Sequence, residues 1–497
     1  MATKMLINAV EAEEYRVALI KDGLLDGFHI EIATAEQKIG NIYKGVVERI
    51  EPSLQACFVN FGADKNGFLP GDEIHPEYYR EGAKVPAEGK VPPIEKVLKK
   101  GQELLVQVTK EMPGRKGAHL TTYLSLAARY LVLTPGRTTN GISRKIQDEE
   151  ERKRLKAIME RLKLPEGVGY IVRTMAEGQN KTSLSRDLNR LLRMWKNIKK
   201  GAKKAPPLSL VHKEQDLCLR TLRDYYTSEV SEILVDDRET FNEIKRYMKI
   251  ISPRDQRRVK LYREKRPIFD EFEIERQIES IYKNRVSLKS GGYIVIDTTE
   301  ALISIDVNSG RSMIDRDVES MAFRTNLEAA KEIARQLRLR DIGGLVVIDF
   351  IDMKDRKHNR EVEKALRSEL KRDRAKISTS HISKFGLLEL SRQRLRPSIE
   401  SKSYQICRHC NGRGIIMSVE SASVSFLRRI WMRLAKGDVS QINGLLPPEV
   451  AAYLLNRKRR ELAELEERYG VTITLQSDPS LSPGNEKMEF LKDNASQ

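Results

Sequence analysis

Residues 301–310 read ALISIDVNSG and residues 344–350 read GLVVIDF. Each is a short apolar run of strand length that ends on an aspartate, and the stretch around 318–339 between them has helical periodicity. Strand, helix, strand is the mark of an α/β core, expected here over residues 291–352. Asp306 and Asp349 close the two runs, and a carboxylate placed in a core is costly unless something compensates its charge. A hard cation does so, since Mg²⁺ takes oxygen ligands and keeps several waters for a substrate phosphate. A lone D-V-N-S-G reads more readily as a strand-end turn. Two such ends joined by one helix shift the reading toward a metal site.

Upstream, residues 39–74 hold three short β-rich runs, split at Pro52–Ser53 and at the polar turn Asp64–Gly67. That cadence predicts a small barrel, closed by ELLVQVTK at 103–110, with 76–101 as a linker or insertion. Its strands carry Phe58, Phe61 and Phe68. Outward aromatics on an OB-type barrel stack bases while nearby cations follow phosphates, and Phe58, Phe68 and Lys116 suit that work. One or two of these phenylalanines would equally serve to fill the barrel. The opening residues alternate as a strand, a turn at Asp26–Gly27 and a second strand around HIEIATA. Between barrel and core lie the strand RYLVLTP, a charged helix over 147–163 and the strand GYIVRT. Residues 181–204 hold nine basic side chains against one acidic, and Arg186, Arg190, Arg193 and Lys200 share a helical face. Residues 354–376 hold ten against five, which predicts a cationic amphipathic helix beside the core. A helix pair (420–435 and 448–468) follows, and the tail after Ser477 reads as loose.

The whole chain has 497 residues, a formal net charge of +18, 40% hydrophobic and 32% charged residues. That much apolar material excludes a wholly disordered chain. No run approaches the roughly 18 apolar residues of a membrane span, and the first twenty residues lack a signal layout. The expectation is a soluble, cytoplasmic protein. The basic balance points to a polyanionic partner or to solubility alone. Four cysteines make no disulfide framework: Cys57 and Cys218 sit in apolar surroundings as small hydrophobes, whereas Cys407 and Cys410 form C-x-x-C. The following N-G-R-G is a poor helix start, which favours metal over redox chemistry, and Gly412 and Gly414 permit left-handed turns. A structural zinc wants four ligands and His409 is badly placed, so two chains giving two thiolates each is the economical solution.

The string I-Y-K-G-V-V-x-x-I-x-P-S-L-Q-A-C-F-V-N-F-G (42–62) with G-F-L-P (67–70) resembles an S1 RNA-binding domain, as found in bacterial endoribonucleases of the ribonuclease E/G family. Further strings resemble the same family in order: GYIVRT (169–174), SIDVNSG (304–310), GGLVVIDFIDM (343–353), SHISKFGLLELSRQR (380–394) and CRHCNGRG (407–414).

The resemblance implies an α/β multidomain chain in which the S1 barrel (39–122) is inserted in an RNase H-like subdomain (1–38 and 219–281). A 5′-phosphate sensor region (123–218), a DNase I-like catalytic α/β subdomain (282–403), a zinc link (404–417) and a small C-terminal domain (418–497) complete it. It implies that Asp306 and Asp349 hold Mg²⁺ and that Asn308 hydrogen-bonds at the scissile phosphate; Asp352, three residues on, is a weaker candidate with at most a supporting place in the shell. It also implies cleavage of single-stranded, A/U-rich RNA to 3′-hydroxyl and 5′-phosphate ends, in rRNA and tRNA processing and mRNA decay. Arg173 and Thr174, helped by Arg144, would form a pocket for a 5′-monophosphate, although Ala128 replaces a usual glycine and Lys376 a usual arginine. Cys407 and Cys410, with Arg408 in place of the usual proline, would share Zn²⁺ across a homodimer that could pair into a homotetramer. The length favours the ribonuclease G side, because ribonuclease E usually continues into a long disordered tail; a short ribonuclease E stays open. The competing readings are a non-catalytic S1-type RNA-binding protein and, more weakly, a DNA-directed nuclease.

Overall fold

The strand Ile303–Asn308 alternates strictly, burying Ile303, Ile305 and Val307 and turning Ser304, Asp306 and Asn308 to the opposite face. Gly344–Asp349 does the same, with Val346 and Ile348 inward. In the computed structural model these two strands pair in parallel at the centre of a six-stranded sheet. Its order is 285–287, 293–298, 303–308, 344–349, 387–392, 377–379, and every other pairing is antiparallel. A parallel pair needs a crossover, and the helix Val318–Leu339, rich in Ala, Leu, Glu and Arg, supplies it. Ala330, Ile333 and Leu337 of that helix and Val362 and Leu366 of Arg356–Leu370 cover the sheet's apolar face. The other face is left open. The structure describes all residues except 1–2, 12, 33–37, 81–91, 112–116, 311–317, 395–397, 438 and 492–497.

This sheet lies in the first of two units, Met1–Lys402. The barrel closes through five strands, Ile42–Glu51, Ala56–Asn60, Gly67–Pro70, His119–Thr121 and Glu103–Lys110, the last pairing back onto the first. Val47, Cys57, Val59, Phe61 and Leu69 fill it. Burial pushes the Cys57 thiol up to about 12 and raises that of Cys218 as well, so both serve as inert apolar side chains.

A five-stranded sheet joins the chain's beginning to its middle in the order 259–261, 230–235, 3–8, 14–21, 24–32. The expected turn at Asp26–Gly27 is instead at Asp22–Gly23, both with positive φ (51° and 78°), the geometry of a tight hairpin. Register shifts between Leu19 and Ile20, which pair with Gly27 and Leu25, so Asp26 is the extra residue of a bulge. A smaller sheet (141–142, 168–172, 131–135, 126–127) carries the helices Glu149–Glu160 and Lys181–Lys204.

The second unit, Ser403–Gln497, has a three-stranded sheet ordered 472–477, 441–446, 487–491 and the helices Val419–Leu434, Pro448–Arg457 and Arg459–Tyr469. The expectation of a loose tail after Ser477 fails at Lys487–Leu491, which pairs antiparallel with Gln441–Leu446 and alternates Met488 and Phe490 onto the core of Phe426, Ile430 and Leu446; residues 492–497 of that tail lie outside the described residues. Among the described residues, no helix is long and apolar enough to cross a membrane.

Candidate active site

Asp306 and Asp349 are register partners, side by side at the ends of adjacent parallel strands. The expected burial is not found: both lie on the open face of the sheet and are exposed, because the apolar positions alternate away from them. Partial desolvation, then the charges of Asp306 and Asp352, raise the carboxyl pKa of Asp349 above its ordinary value. Asn308, two residues along on the same face, donates from Nδ2 to Asp306 Oδ2 at 2.7 Å. The glycine of D-V-N-S-G is required by contact, since a Cβ at Gly310 would stand 1.8 Å from the Gly291 carbonyl.

Asp352 belongs to the same corner. A Cβ on Gly386 (φ +78°) would lie 3.4 Å from Asp352 Oδ1 and 3.9 Å from Asp349 Oδ1, so the SHISKFG turn borders both acids. Asn326, fully buried on the crossover helix, fixes the backbone between them: its Nδ2 donates to the Ile351 carbonyl at 2.8 Å and its Oδ1 accepts from the Ile351 amide at 3.1 Å. Sequence reading missed Asn326; its only signal is an amide on the apolar side of a helix. Among the described residues no group of three or more His, Cys, Asp or Glu side chains converges on a metal position. Two carboxylates whose repulsion a cation would relieve, exposed to solvent, fit Mg²⁺, which binds through one or two carboxylates and retains water.

The cations of 354–376 divide in two. Arg367 reaches Glu363 and Thr379, Arg372 pairs with Asp26 and Glu369, and Arg374 lies 3.9 Å over the Tyr225 ring. Lys354, Arg356, Lys357, Arg360 and Lys364 are exposed. On the barrel, Phe58 and Phe68 are cross-strand partners with ring centroids 5.9 Å apart, and His119 continues the row 5.2 Å from Phe68. The Arg49 guanidinium lies 5.5 Å over Phe58, in a groove with Glu48, Asn66 and Lys100. Phe61 is the one of the three phenylalanines that fills the barrel. Lys116 lies outside the described residues.

Arg173 is not an open fork. Its Nη1 donates to the Ala128 carbonyl at 2.7 Å and its Nη2 to Asp224 Oδ1 at 2.7 Å. Asp224 is largely buried; desolvation would raise its pKa, but Arg223 and then Arg173 outweigh it and hold the carboxyl well below the usual range. Exposed Arg144 follows a strand whose Ile142 pairs in parallel with Val172, so it emerges at the same end as Arg173 and Thr174. Lys145 Nζ reaches the Asp373 carbonyl at 2.7 Å, which brings the exposed Lys376 segment to this side.

In the second unit, residues 407–412 form an exposed turn, with the Asn411 amide donating to the Cys407 carbonyl at 2.8 Å and φ values of 49° and 85° at Asn411 and Gly412. Backbone amides of Cys410 and His409, with the Cys410 side chain, hold the Cys407 thiol below its ordinary pKa. A thiolate-stabilising knuckle without a following helix fits a soft metal.

Comparison with known proteins covers almost the whole chain. Residues 125–395 match the model of the Ribonuclease E/G family, 36–122 that of the S1 RNA binding domain, and 406–491 that of the RNase E/G thioredoxin-like domain. The chain is 46% identical to a ribonuclease E of Haemophilus influenzae over 491 residues, 99% of this chain and 52% of the relative. It is 47% identical to ribonuclease E of Escherichia coli K12 over 94% of this chain and 44% of the relative. It is 37% identical to ribonuclease G of Escherichia coli K12 over 96% of this chain and 98% of the relative. The chain thus spans about half the length of the ribonuclease E relatives it matches, whereas its length corresponds to that of ribonuclease G.

Proposed function

The chain belongs to the ribonuclease E/G family, and from that premise we propose that it is an endoribonuclease that hydrolyses single-stranded, A/U-rich RNA at the open face of its central sheet. The observation that carries this is the register pairing of Asp306 with Asp349 on that face. Asp306 and Asp349 would hold Mg²⁺, which would supply charge stabilisation to the phosphoryl oxygen and activation of water. The side chains do the rest. Asn308 orients the Asp306 carboxylate through its 2.7 Å bond and presents its amide to the phosphate. Phe58 and Phe68 stack bases, and the exposed cations of 354–364 draw the backbone in with little sequence choice. Water adds to phosphorus and the bond to the 3′ oxygen breaks, leaving a 3′-hydroxyl and a 5′-phosphate. A purely RNA-binding role gives no purpose to paired acids on an open face.

We assign the sensor to Arg173, Thr174 and Arg144 and the biological role to rRNA and tRNA processing and mRNA decay in the cytoplasm. The five-stranded sheet drawn from residues 3–32 and 230–261 around the barrel supports the RNase H-like reading, and the layered 285–392 sheet supports the DNase I-like one. The decisive experiment incubates the purified protein with a 5′-phosphorylated, fluorescent A/U-rich oligonucleotide with and without Mg²⁺. Cleavage only with the metal, absent in Asp306→Asn, supports the proposal; cleavage by Asp306→Asn at the wild-type rate refutes it. For the knuckle, one zinc ion per two chains is expected, and Cys407→Ser with Cys410→Ser should release zinc and halve the sedimenting mass or more. An unchanged oligomer would remove the shared-zinc assignment.

A further inference from the structure

The helix Lys181–Lys204 turns Leu184, Leu188 and Leu191 into the core and sets Arg186, Arg190 and Arg193 around a cavity that Arg129, Ser183 and Asp187 also line. Its free space is about 50 Å³, room for one small oxyanion or one to two waters at about 30 Å³ each. Arg129 is 7% exposed; its Nη2 donates to the Tyr226 carbonyl at 3.2 Å, while Nε and Nη1 have no hydrogen-bond partner among the described residues. The rings of Tyr130 and Tyr226 lie 5.4 and 5.0 Å from its guanidinium and steady the charge, and the Asp255 carboxylate acts on it through space. Arg190 is braced on Tyr247 at 5.0 Å. The one carboxylate lining the cavity is occupied elsewhere, since Asp187 Oδ2 accepts the amides of Tyr130 and Leu131 at 2.8 and 3.1 Å. Four arginines and one carboxylate therefore line the cavity, and although Asp255 acts on Arg129 through space, two nitrogens of this buried guanidinium make no hydrogen bond among the described residues. Arginine in such a cluster matches the geometry of a phosphate oxyanion.

We propose that this cavity is a phosphate-binding site, separate from the Asp306–Asp349 centre and from the Arg173 pocket, taking one phosphoryl group. The group is either a free phosphate anion or one phosphate of an RNA backbone. The site backs onto the proposed sensor through one turn: Arg173 bonds the carbonyls of Ala128 and Tyr130, and Arg129 between them serves the cavity.

The test compares the thermal midpoints of the full-length protein and Arg186→Gln/Arg190→Gln as inorganic phosphate replaces chloride at matched ionic strength. A ligand of the native state raises the midpoint, general salting effects are common to both proteins, and both retain Arg173. The wild type should gain more than the variant. An equal gain overturns the proposal. Arg186→Gln/Arg193→Gln, which changes two exposed side chains, serves if Arg190→Gln fails to fold. A second arm measures binding of a 5′-hydroxyl single-stranded oligonucleotide without Mg²⁺. If RNA is the source, the variant's Kd weakens about tenfold and its salt slope falls by about 0.7 per lost phosphate contact. An unchanged Kd beside a lost thermal response assigns the site to free phosphate. Neither arm reads cleavage, so failure here is distinct from failure of the metal site.

Discussion

The Asp306–Asp349 pair and the Arg173–Asp224 pair are both built from charged side chains brought together by the fold, and they differ in what opposes the charge. Strand register forces two exposed carboxylates side by side, like charge against like charge. At the other site a largely buried carboxylate is bracketed by Arg173 at 2.7 Å and Arg223 at 3.1 Å. The first arrangement holds an unmet demand for positive charge on an open surface. The second has already met its demand, so it fastens elements together, and a ligand must compete for Arg173. Adjacent charges therefore mark a poised site in one place and a fastener in the other, and sign and exposure decide which.

The largest effect should come from the unmet side. Asp349→Asn is expected to lower the cleavage rate by at least about 10³-fold, as loss of a principal electrostatic element does, while oligonucleotide affinity stays within about twofold. Its denaturant midpoint should hold or rise slightly, since a repulsion is relieved. A clear drop in stability would break the contrast. Asp224→Asn should do the reverse. Removing one partner of a buried pair costs about 3–5 kcal/mol, read as a lower urea midpoint. The pH dependence has a definite sign: a carboxyl depressed by Arg223 and Arg173 contributes its full stability above the unfolded aspartate pKa, about 3.9. That contribution is lost as pH falls below this value toward the folded pKa. The wild type should lose stability in that acid window more steeply than Asp224→Asn.

The poised site was largely legible in the sequence and the fastener was not. I-S-I-D-V-N alternates at a period of two, so the same residues that predict the strand also place Asp306 and Asn308 on its polar face. Asp224 is one acid in a helix, and its partner Arg173 lies 51 positions away, a pairing that no local pattern encodes. Turn chemistry was ambiguous for the same reason: Asp22–Gly23 and Asp26–Gly27 are identical dipeptides, and only pairing to Glu14–Lys21 makes one a turn and the other a bulge. The strand K-M-E-F-L at 487–491 alternates over only five residues, too short a run to stand out until Gln441–Leu446 supplies its ladder.

A smaller effect is expected where the two kinds of pair meet. Arg173→Ala should reduce the preference for 5′-monophosphate over 5′-hydroxyl substrates by about tenfold, the value of a charge-assisted contact. It should also lower stability, because Asp224 loses a partner. A stability loss with an unchanged substrate ratio would make Arg173 a fastener only.

The smallest effect tests the exposed side of the proposed sensor. Lys376 follows the turn that accepts Lys145 at the Asp373 carbonyl, and its own carbonyl accepts the Gln393 amide, so its backbone is fixed while its side chain is exposed. Lysine presents a point charge, whereas arginine's planar fork grips two phosphate oxygens at once. Lys376→Arg leaves the charge unchanged and alters only that geometry, so a gain of roughly two- to fivefold in the 5′-monophosphate preference is expected. Residues that share one ligand couple; placed in the Arg173→Ala background, the same substitution should lose most of its gain. If the gain survives there in full, Lys376 acts on the RNA backbone generally and does not belong to the phosphate pocket.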